Sequence, residues 1–302
     1  MISFGCNRPD TFFTFSSMSL NGKLALITGC SGGIGQATAL ALAIRGCSIA
    51  VHYNTAQQPA DDLVAELTKL PGIRAHAFQA DMGDYDSVRA MHAAVVDILG
   101  HPDILFNNAG TTGTVVGKRG DIESVRLDDF EKTWKVNTGS SFLVSCVDLF
   151  VPSAQECHSA HPTVYPAYGI PEVWSCGFLL ECSCGQVLTF PLRFLTVHAS
   201  SSGIGGVIGP HYASAKSGQH GLMHWIAVRY AKDGITCNVV APALIEDTTM
   251  MANPSEEIRN TIPIGRLGKP HEVASVVETL VTNEYLTNKI MVVDGGLTPS
   301  AF

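Results

Sequence analysis

Charge is scarce in this chain. Of its 302 residues only 15% are Asp, Glu, Lys or Arg, 46% are hydrophobic, and the formal net charge is −8. The few cations form no basic stripe, which excludes the usual footprint of a nucleic-acid or anionic-membrane partner. Long apolar runs are missing as well, and none reaches the ~18 residues that a membrane-spanning helix requires. Residues 1–17 contain Phe12-Phe13-Thr14-Phe15 but lack a basic n-region and a long apolar core, so they do not read as a secretory signal. The first clear structural signal follows Met18, and residues 1–19 are read as a disordered extension or an artefact of start-site choice. Cysteine is the exception to this scarcity. Nine are present, an odd number, and without a secretory signal they are expected as reduced thiols of a cytoplasmic protein. Five of them, Cys146, Cys157, Cys176, Cys182 and Cys184, fall close together. Cys182-Ser183-Cys184 with His158 and His161 fits no closed tetrahedral site, so no metal is expected.

What is present is ample apolar sequence in short pieces, alternating with amphipathic ones. That alternation predicts one open α/β domain over residues 20–302. Lys23 to Thr28 is a short apolar run followed at once by glycines, which reads as a buried parallel strand. Gly29, Ser31, Gly33, Ile34 and Gly35 then lead into Gln36 to Ala43, a strong helix former. Glycines at such a turn let the backbone approach a pyrophosphate, which the free N–H groups of the helix start attract. The second strand spans Ser48 to Tyr53. An NAD site usually places a carboxylate about 20 positions after the glycines to bind the ribose 2′-hydroxyl. Here the strand runs into Asn54-Thr55, with no carboxylate before Asp61. A 2′-phosphate would meet no repulsion there, and Asn54 and Thr55 can donate to it. NADP(H) is therefore expected over NAD(H), although no arginine stands at this place.

Further along, Asp61 to Leu70 reads as a helix, Ile73 to Gln79 as a strand reaching Asp81-Met82, and Asp84 to Leu99 as another helix. Asp103 to Phe106 is a fourth strand entering Asn107-Asn108-Ala109-Gly110, where the asparagines are expected to tie adjacent strands together. Leu127 to about Asp148 reads as one long helix containing Asn137. A strand at Arg193 to Ala199 is followed by Ser200-Ser201-Ser202-Gly203. The helix from His211 to Ala231 carries Tyr212 and Lys216, four residues apart and so on one face. A phenol with its usual pKa near ~10 is a poor acid at neutral pH, and a fixed ammonium beside it brings the proton within reach. Ile235 to Ala241 and Lys289 to Asp294 supply the last strands.

The ordered set Thr28-Gly29-Cys30-Ser31-Gly32-Gly33-Ile34-Gly35, Asn107 to Gly110, Asn137, the serine run, Tyr212-Ala213-Ser214-Ala215-Lys216 and Val293-Asp294-Gly295-Gly296 resembles the classical short-chain dehydrogenase/reductase family. Its overall pattern is most similar to 3-oxoacyl-[acyl-carrier-protein] reductase-like members. The resemblance implies a single doubly wound Rossmann-type domain, with a parallel seven-stranded sheet of order 3-2-1-4-5-6-7. It implies reduction of a ketone to a secondary alcohol, or the reverse, with Tyr212 as proton donor and Ser200 or Ser201 polarising the carbonyl. The family's spacing to the tyrosine lands on Ala199, so both serines stay open. By the same resemblance Asn137 kinks its helix and holds a relay water, and Lys216 lowers the tyrosine pKa. Tyr212 and Lys216 also reach the cofactor, Lys216 at the nicotinamide ribose. Asp81 and Met82 lie at the adenine and Asn108, Ala109 and Gly110 along the ribose. The main chain of Ile245 faces the carboxamide, Thr248 the pyrophosphate, and Thr249 to Ile264 forms the substrate lid. Ala243 stands where the family has glycine. Family members assemble as tetramers or dimers through the helices bearing Asn137 and Tyr212. A secondary-alcohol or polyol dehydrogenase, and a silent cofactor-binding scaffold, remain as alternatives.

Residues 147–193 do not fit this pattern. An αβ connection is normally about 2–6 residues. Here helical periodicity is lost and Pro152, Pro162, Pro166, Pro171 and Pro191 are scattered through the stretch. It reads as an ordered insertion over the site, a flexible surface loop, or sequence foreign to the working fold such as translated intron.

Overall fold

Four strands of this chain are buried along all or nearly all of their length, which is what a parallel sheet covered on both faces requires. They are β1 (Leu24–Ile27), β2 (Ser48–Tyr53, partly open only at Tyr53), β4 (Ile104–Asn107) and β6 (Thr236–Pro242). The computed structural model describes residues 19–115, 122–149, 194–198, 208–248, 251 and 256–298. With β3 (Ala75–Gln79), β5 (Phe194–His198) and β7 (Ile290–Val293) these strands form one seven-stranded sheet of order β3-β2-β1-β4-β5-β6-β7. All six pairings are parallel, and Leu26 is opposite both Ala50 and Leu105. The edge strands β3 and β7 are partly open to solvent.

Helices cover both faces. On one, α1 (Gly33–Ile44), α2 (Gln57–Leu67) and α8 (Pro270–Thr282) bury Leu42, Leu63 and Val277 against Ile27, Ile49 and Phe106. On the other, α3 (Tyr85–Ile98), α5 (Ser140–Leu149) and α6 (Pro210–Tyr230) bury Val88, Leu143 and Met223 against Leu26, Leu105 and Val239. Burying each such side chain is worth roughly 1.5–3 kcal/mol, so the two layers hold the sheet between them. A short α7 (Glu256–Asn260) precedes α8.

Several boundaries move. The second helix starts at Gln57 rather than Asp61, because Pro59 is tolerated in a first turn where its missing N–H has no partner to lose. The third strand begins at Ala75 rather than Ile73, since Arg74 is held by the Ser48 hydroxyl and the carbonyl of Leu99. The long helix expected from Leu127 is α4 (Leu127–Trp134), a π-turn at Lys135–Gly139, and then α5. Ser140 and Ser141 hydroxyls back-bond to the carbonyls of Val136 and Asn137 at 2.6 and 2.9 Å, which loosens the ordinary ladder here. The N-terminal extension and nearly all of the 147–193 stretch lie outside the described residues.

Candidate active site

The turn between β1 and α1 is held from three sides. Gly29, at φ +63°, donates its N–H to His52 Nδ1 at 2.8 Å, and the next amide, Cys30, donates to the His52 carbonyl at 2.8 Å. Asn108 Nδ2 donates to the carbonyls of Thr28 and Gly29, at 2.9 and 3.0 Å. The Thr28 hydroxyl accepts from the amides of Asn108 and Ala109. Asn108 thus ties β1 to β4 as expected. Asn107 does not: its amide reaches to Ser141 and Ser145 on α5, because its side chain points to the face of the sheet that α5 covers.

These glycines answer first to the chain's own packing. A Cβ on Gly29 would sit 2.9 Å from Ala109 Cα, one on Gly35 2.6 Å from the Gly29 carbonyl, and one on Gly33 2.4 Å from the Asp247 carbonyl. All are backbone atoms that cannot swing aside. The outcome is that the segments following β1, β4 and β6 converge at the start of α1, where Ser31, Gly32 and Gly33 stay partly exposed. First-turn amides of such a helix have no intrahelical acceptor and suit an anionic pyrophosphate. Ile34 and Met82 send their side chains into the two cores, leaving only their main chains for a ligand.

At the end of β2, Asn54 and Thr55 are exposed, and the carboxylates of Asp61 and Asp62 stand further on, in α2. Asp81, just past the end of β3, is exposed, with one carboxylate oxygen taking the Gly83 amide at 2.8 Å. On the far side, Ile245 is buried and pairs with Gly268, while the Thr248 hydroxyl donates to the Ile245 carbonyl at 2.9 Å. Asp247 between them has φ 56°, a left-handed conformation that a non-glycine residue rarely holds.

Tyr212 and Lys216 lie on α6, which Pro210 starts, and both are buried. Lys216 Nζ stands 5.8 Å from the centre of the Tyr212 ring. Burial pulls the ammonium down to about 7, so at neutral pH it is not the permanently fixed charge that the sequence suggested. Asn137 sits in the middle of the π-turn. Its Oδ1 accepts from the Thr111 amide at 2.7 Å and its Nδ2 donates to the Thr111 carbonyl at 2.9 Å, clamping the loop after β4. Asn137 Oδ1 and Lys216 Nζ lie 3.0 and 3.2 Å from the point where a Gly110 Cβ would stand. The structure therefore brings Asn137, Gly110, Tyr212 and Lys216 together. Ser200 and Ser201 lie outside the described residues, beyond the end of β5 at His198.

Two residues went unnoticed in the sequence. His52 is a polar residue set between Val51 and Tyr53 in an apolar strand, which is the signal the sequence offered, and the structure buries it. Gln219, fully buried one turn past Lys216, donates to the Asn137 carbonyl at 2.7 Å and to the Ser141 hydroxyl at 3.1 Å. Among the described cysteines Cys30, Cys47 and Cys237 are buried, and burial pushes their thiols up, to about 12 for Cys47, so they are inert. The candidate metal ligands Cys182, Cys184, His158 and His161 lie outside the described residues. No described helix is long and apolar enough to cross a membrane.

A parallel sheet of this order, with a glycine turn at β1 and a buried tyrosine and lysine on α6, defines a dinucleotide-type oxidoreductase fold. A family profile described as "short chain dehydrogenase" matches residues 23–156, and another, "Enoyl-(Acyl carrier protein) reductase", matches residues 193–298. The chain is 31% identical to a 3-oxoacyl-[acyl-carrier-protein] reductase of Synechocystis sp. over 92% of its length and 98% of that protein's. It is 30% identical to an L-rhamnose 1-dehydrogenase (NADP(+)) of Thermoplasma acidophilum, covering 93% and 98% of the two chains. A crystal structure of a dehydrogenase/reductase from Sinorhizobium meliloti 1021 superposes with a TM-score of 0.71 at 26% identity, covering 94% of this chain and 98% of the other. The chain belongs to the classical short-chain dehydrogenase/reductase family, and its chemistry is oxidation and reduction between alcohol and carbonyl. The two profiles leave residues 157–192 unmatched, and these lie inside the stretch that broke the sequence pattern.

Proposed function

We propose that this protein is an NADP(H)-dependent reductase that converts a ketone of the 3-oxoacyl type, or a related carbonyl, to a secondary alcohol. The observation that carries the reading is the convergence of Asn137 Oδ1 and Lys216 Nζ beside Gly110, one helical turn from Tyr212. The bound dinucleotide supplies the hydride, and the remaining work falls to side chains of this chain. Tyr212 gives its phenolic proton to the oxygen that becomes alkoxide as the hydride arrives, so the neutral alcohol forms. Ser200 or Ser201 donates a hydrogen bond to that oxygen and stabilises its developing charge. Lys216 holds the nicotinamide ribose and, when protonated, favours the phenolate left behind. Its lowered pKa lets it pass a proton back to Tyr212 at neutral pH. Asn137 keeps a second lone pair on Oδ1 for the relay water that restores that proton.

The cofactor residues are those around the glycine turn (Gly29, Ser31, Gly33, Ile34, Gly35), then Asp81, Met82, Asn108, Ala109, Gly110, Ile245 and Thr248, with Tyr212 and Lys216. Asn54 and Thr55 would hold the 2′-phosphate. Preference for NADP(H) rests on the end of β2, where the exposed groups are an amide and a hydroxyl and no carboxylate stands before Asp61. A second reading, a sugar or polyol dehydrogenase, is favoured by the similarity to rhamnose dehydrogenases. A panel of 3-oxoacyl esters, simple ketones and aldoses, assayed with NADPH, NADP+ and NADH, separates the two. Oxoacyl reduction with a higher kcat/KM for NADPH is expected. Turnover of sugars alone, or a preference for NADH, overturns the proposal. Nucleotide binding without any turnover marks a silent scaffold. Tyr212→Phe should reduce turnover at least 100-fold and leave NADPH binding within about threefold, since the phenol is the proposed acid and the pyrophosphate turn lies elsewhere; activity above about a tenth, ~1.4 kcal/mol, removes Tyr212 from that role.

A further inference from the structure

His52 is a buried imidazole with both nitrogens engaged and no part in the chemistry above. Its Nδ1 accepts the Gly29 N–H at 2.8 Å, and its Nε2 meets the Ala80 carbonyl at 3.1 Å. A carbonyl can only accept, so Nε2 carries the proton and Nδ1 is the bare acceptor, which settles the tautomer. The main chain of the same residue takes the next amide, Cys30, at 2.8 Å, and its neighbour Tyr53 takes the Ala80 amide at 3.0 Å. Two consecutive amides of the turn therefore end on one residue of β2, and the same side chain reaches on to the end of β3, one residue before Asp81.

We propose that His52 is a positioning residue for the dinucleotide: through Gly29 on one side and Ala80 on the other, its imidazole sets the pyrophosphate turn in register with the adenine side of the site. The inference rests on the reading that this turn binds a dinucleotide. Gly29 has a left-handed backbone that aims its N–H at the His52 ring, and without that acceptor a partly buried amide loses its partner. Rotating Gly29 to relieve the deficit would also disturb the Asn108 bonds to the Thr28 and Gly29 carbonyls on the two flanking peptides. Burial keeps the ring neutral, at about 4, which preserves the acceptor throughout the physiological range.

The two nitrogens can be tested one at a time. Asn places its Oδ1 where His has Nδ1, and Gln places its Nε2 where His has Nε2. His52→Asn keeps the acceptor for Gly29 and loses Ala80, whereas His52→Gln does the opposite. The full-length wild type and both variants are titrated with NADPH and with NADH by nucleotide fluorescence. Amide exchange at Gly29 is followed in the nucleotide-free proteins, and kcat is measured at saturating cofactor. The expected result is affinity within about threefold of wild type for His52→Asn and about tenfold weaker for His52→Gln, the size of one neutral hydrogen bond. Gly29 exchange should be slow in the first and fast in the second, with kcat the same in all three. Equal affinity losses in both variants, no loss in either, or a fast-exchanging Gly29 in the wild type overturns the assignment. Should His52→Gln fail to fold, the wild-type Gly29 exchange rate and the His52→Asn affinity still decide it. If the wild type binds neither nucleotide, the dinucleotide reading itself has failed, which is a different outcome from variants that bind alike.

Discussion

Lys216 illustrates how a single residue can be costly to the fold and needed by the site. Burial lowers its pKa from 10.5 to about 7, so the folded chain resists protonation that the unfolded chain accepts freely. The sign follows directly. Above about pH 10.5 the lysine is neutral in both states and costs nothing. As the pH falls toward 7 the unfolded state alone takes the proton, and stability is lost across that window. A shift of this size corresponds to several kcal/mol at most. Lys216→Met should therefore raise the thermal midpoint near pH 7 by a few degrees while abolishing turnover, and the gain should vanish by about pH 10.5. Calorimetry at the two pH values checks it, and a midpoint that falls at pH 7 contradicts the burial argument. Gly33 works in the opposite sense. A methyl group there lies 2.4 Å from the Asp247 carbonyl, a backbone atom already held in a left-handed turn. Gly33→Ala should weaken NADPH binding by at least tenfold and lower stability by about 1–3 kcal/mol, read by nucleotide titration and urea unfolding.

Among the elements, α3 and α5 are joined by a buried polar contact. His92 Nε2 lies 2.5 Å from Asp148 Oδ1, while the other carboxylate oxygen has no hydrogen-bond partner among the described residues. Burial pushes the Asp148 carboxyl up, opposed by its bond with His92. Removing one member strands the other, which typically costs about 3–5 kcal/mol, whereas replacing both by apolar residues is often neutral. His92→Leu should thus be strongly destabilising, and the double change with Asp148→Leu should recover most of the loss in chemical denaturation. A double variant as unstable as the single one would show that the pair contributes net stability. The π-turn runs directly into the helix that holds Asp148, so the same stretch supplies both the core of one face and the position of Asn137.

For the whole molecule the question is the stretch between Leu149 and Phe194. The seven strands pair in family order on either side of it, and the family profiles resume at residue 193. Replacing Pro152 to Pro191 with a short glycine-containing loop should keep the thermal midpoint and NADPH turnover, because loop length itself matters little, about 0.6 kcal/mol per doubling. A shortened chain that is insoluble, or melts about 10 °C lower, would make the stretch an integral part of the fold. Phe142 on α5 and Trp225 and Val228 on α6 are large apolar residues left exposed, at 44%, 61% and 72%. We expect these helices to pack on a second copy of the chain. Trp225→Glu with Val228→Glu should then lower the mass measured by light scattering, while a wild type already monomeric would refute the expectation.

The short strands, the glycine turn at Gly29 and the shared helix face of Tyr212 and Lys216 were legible in the residues, because each depends on local pattern. The strand order and the kink at Asn137 followed from the family resemblance of the whole ordered set. A buried strand needs a short apolar run, a strand-to-helix turn needs glycines, and a tyrosine and lysine one turn apart share a helix face. The sequence by itself therefore determined the architecture, the family and the side chains that meet at α6. Only the tertiary structure decided what those side chains touch. Burial of Lys216 changes its charge at neutral pH. Asn107 turns to α5 rather than to a neighbouring strand, and the glycines of the turn are required by Ala109, Asp247 and the turn itself. His52 joins two strand ends through opposite sides of one ring. Each of these depends on contacts between residues far apart in the chain, and on the loss of water that follows when they meet, neither of which any local pattern encodes.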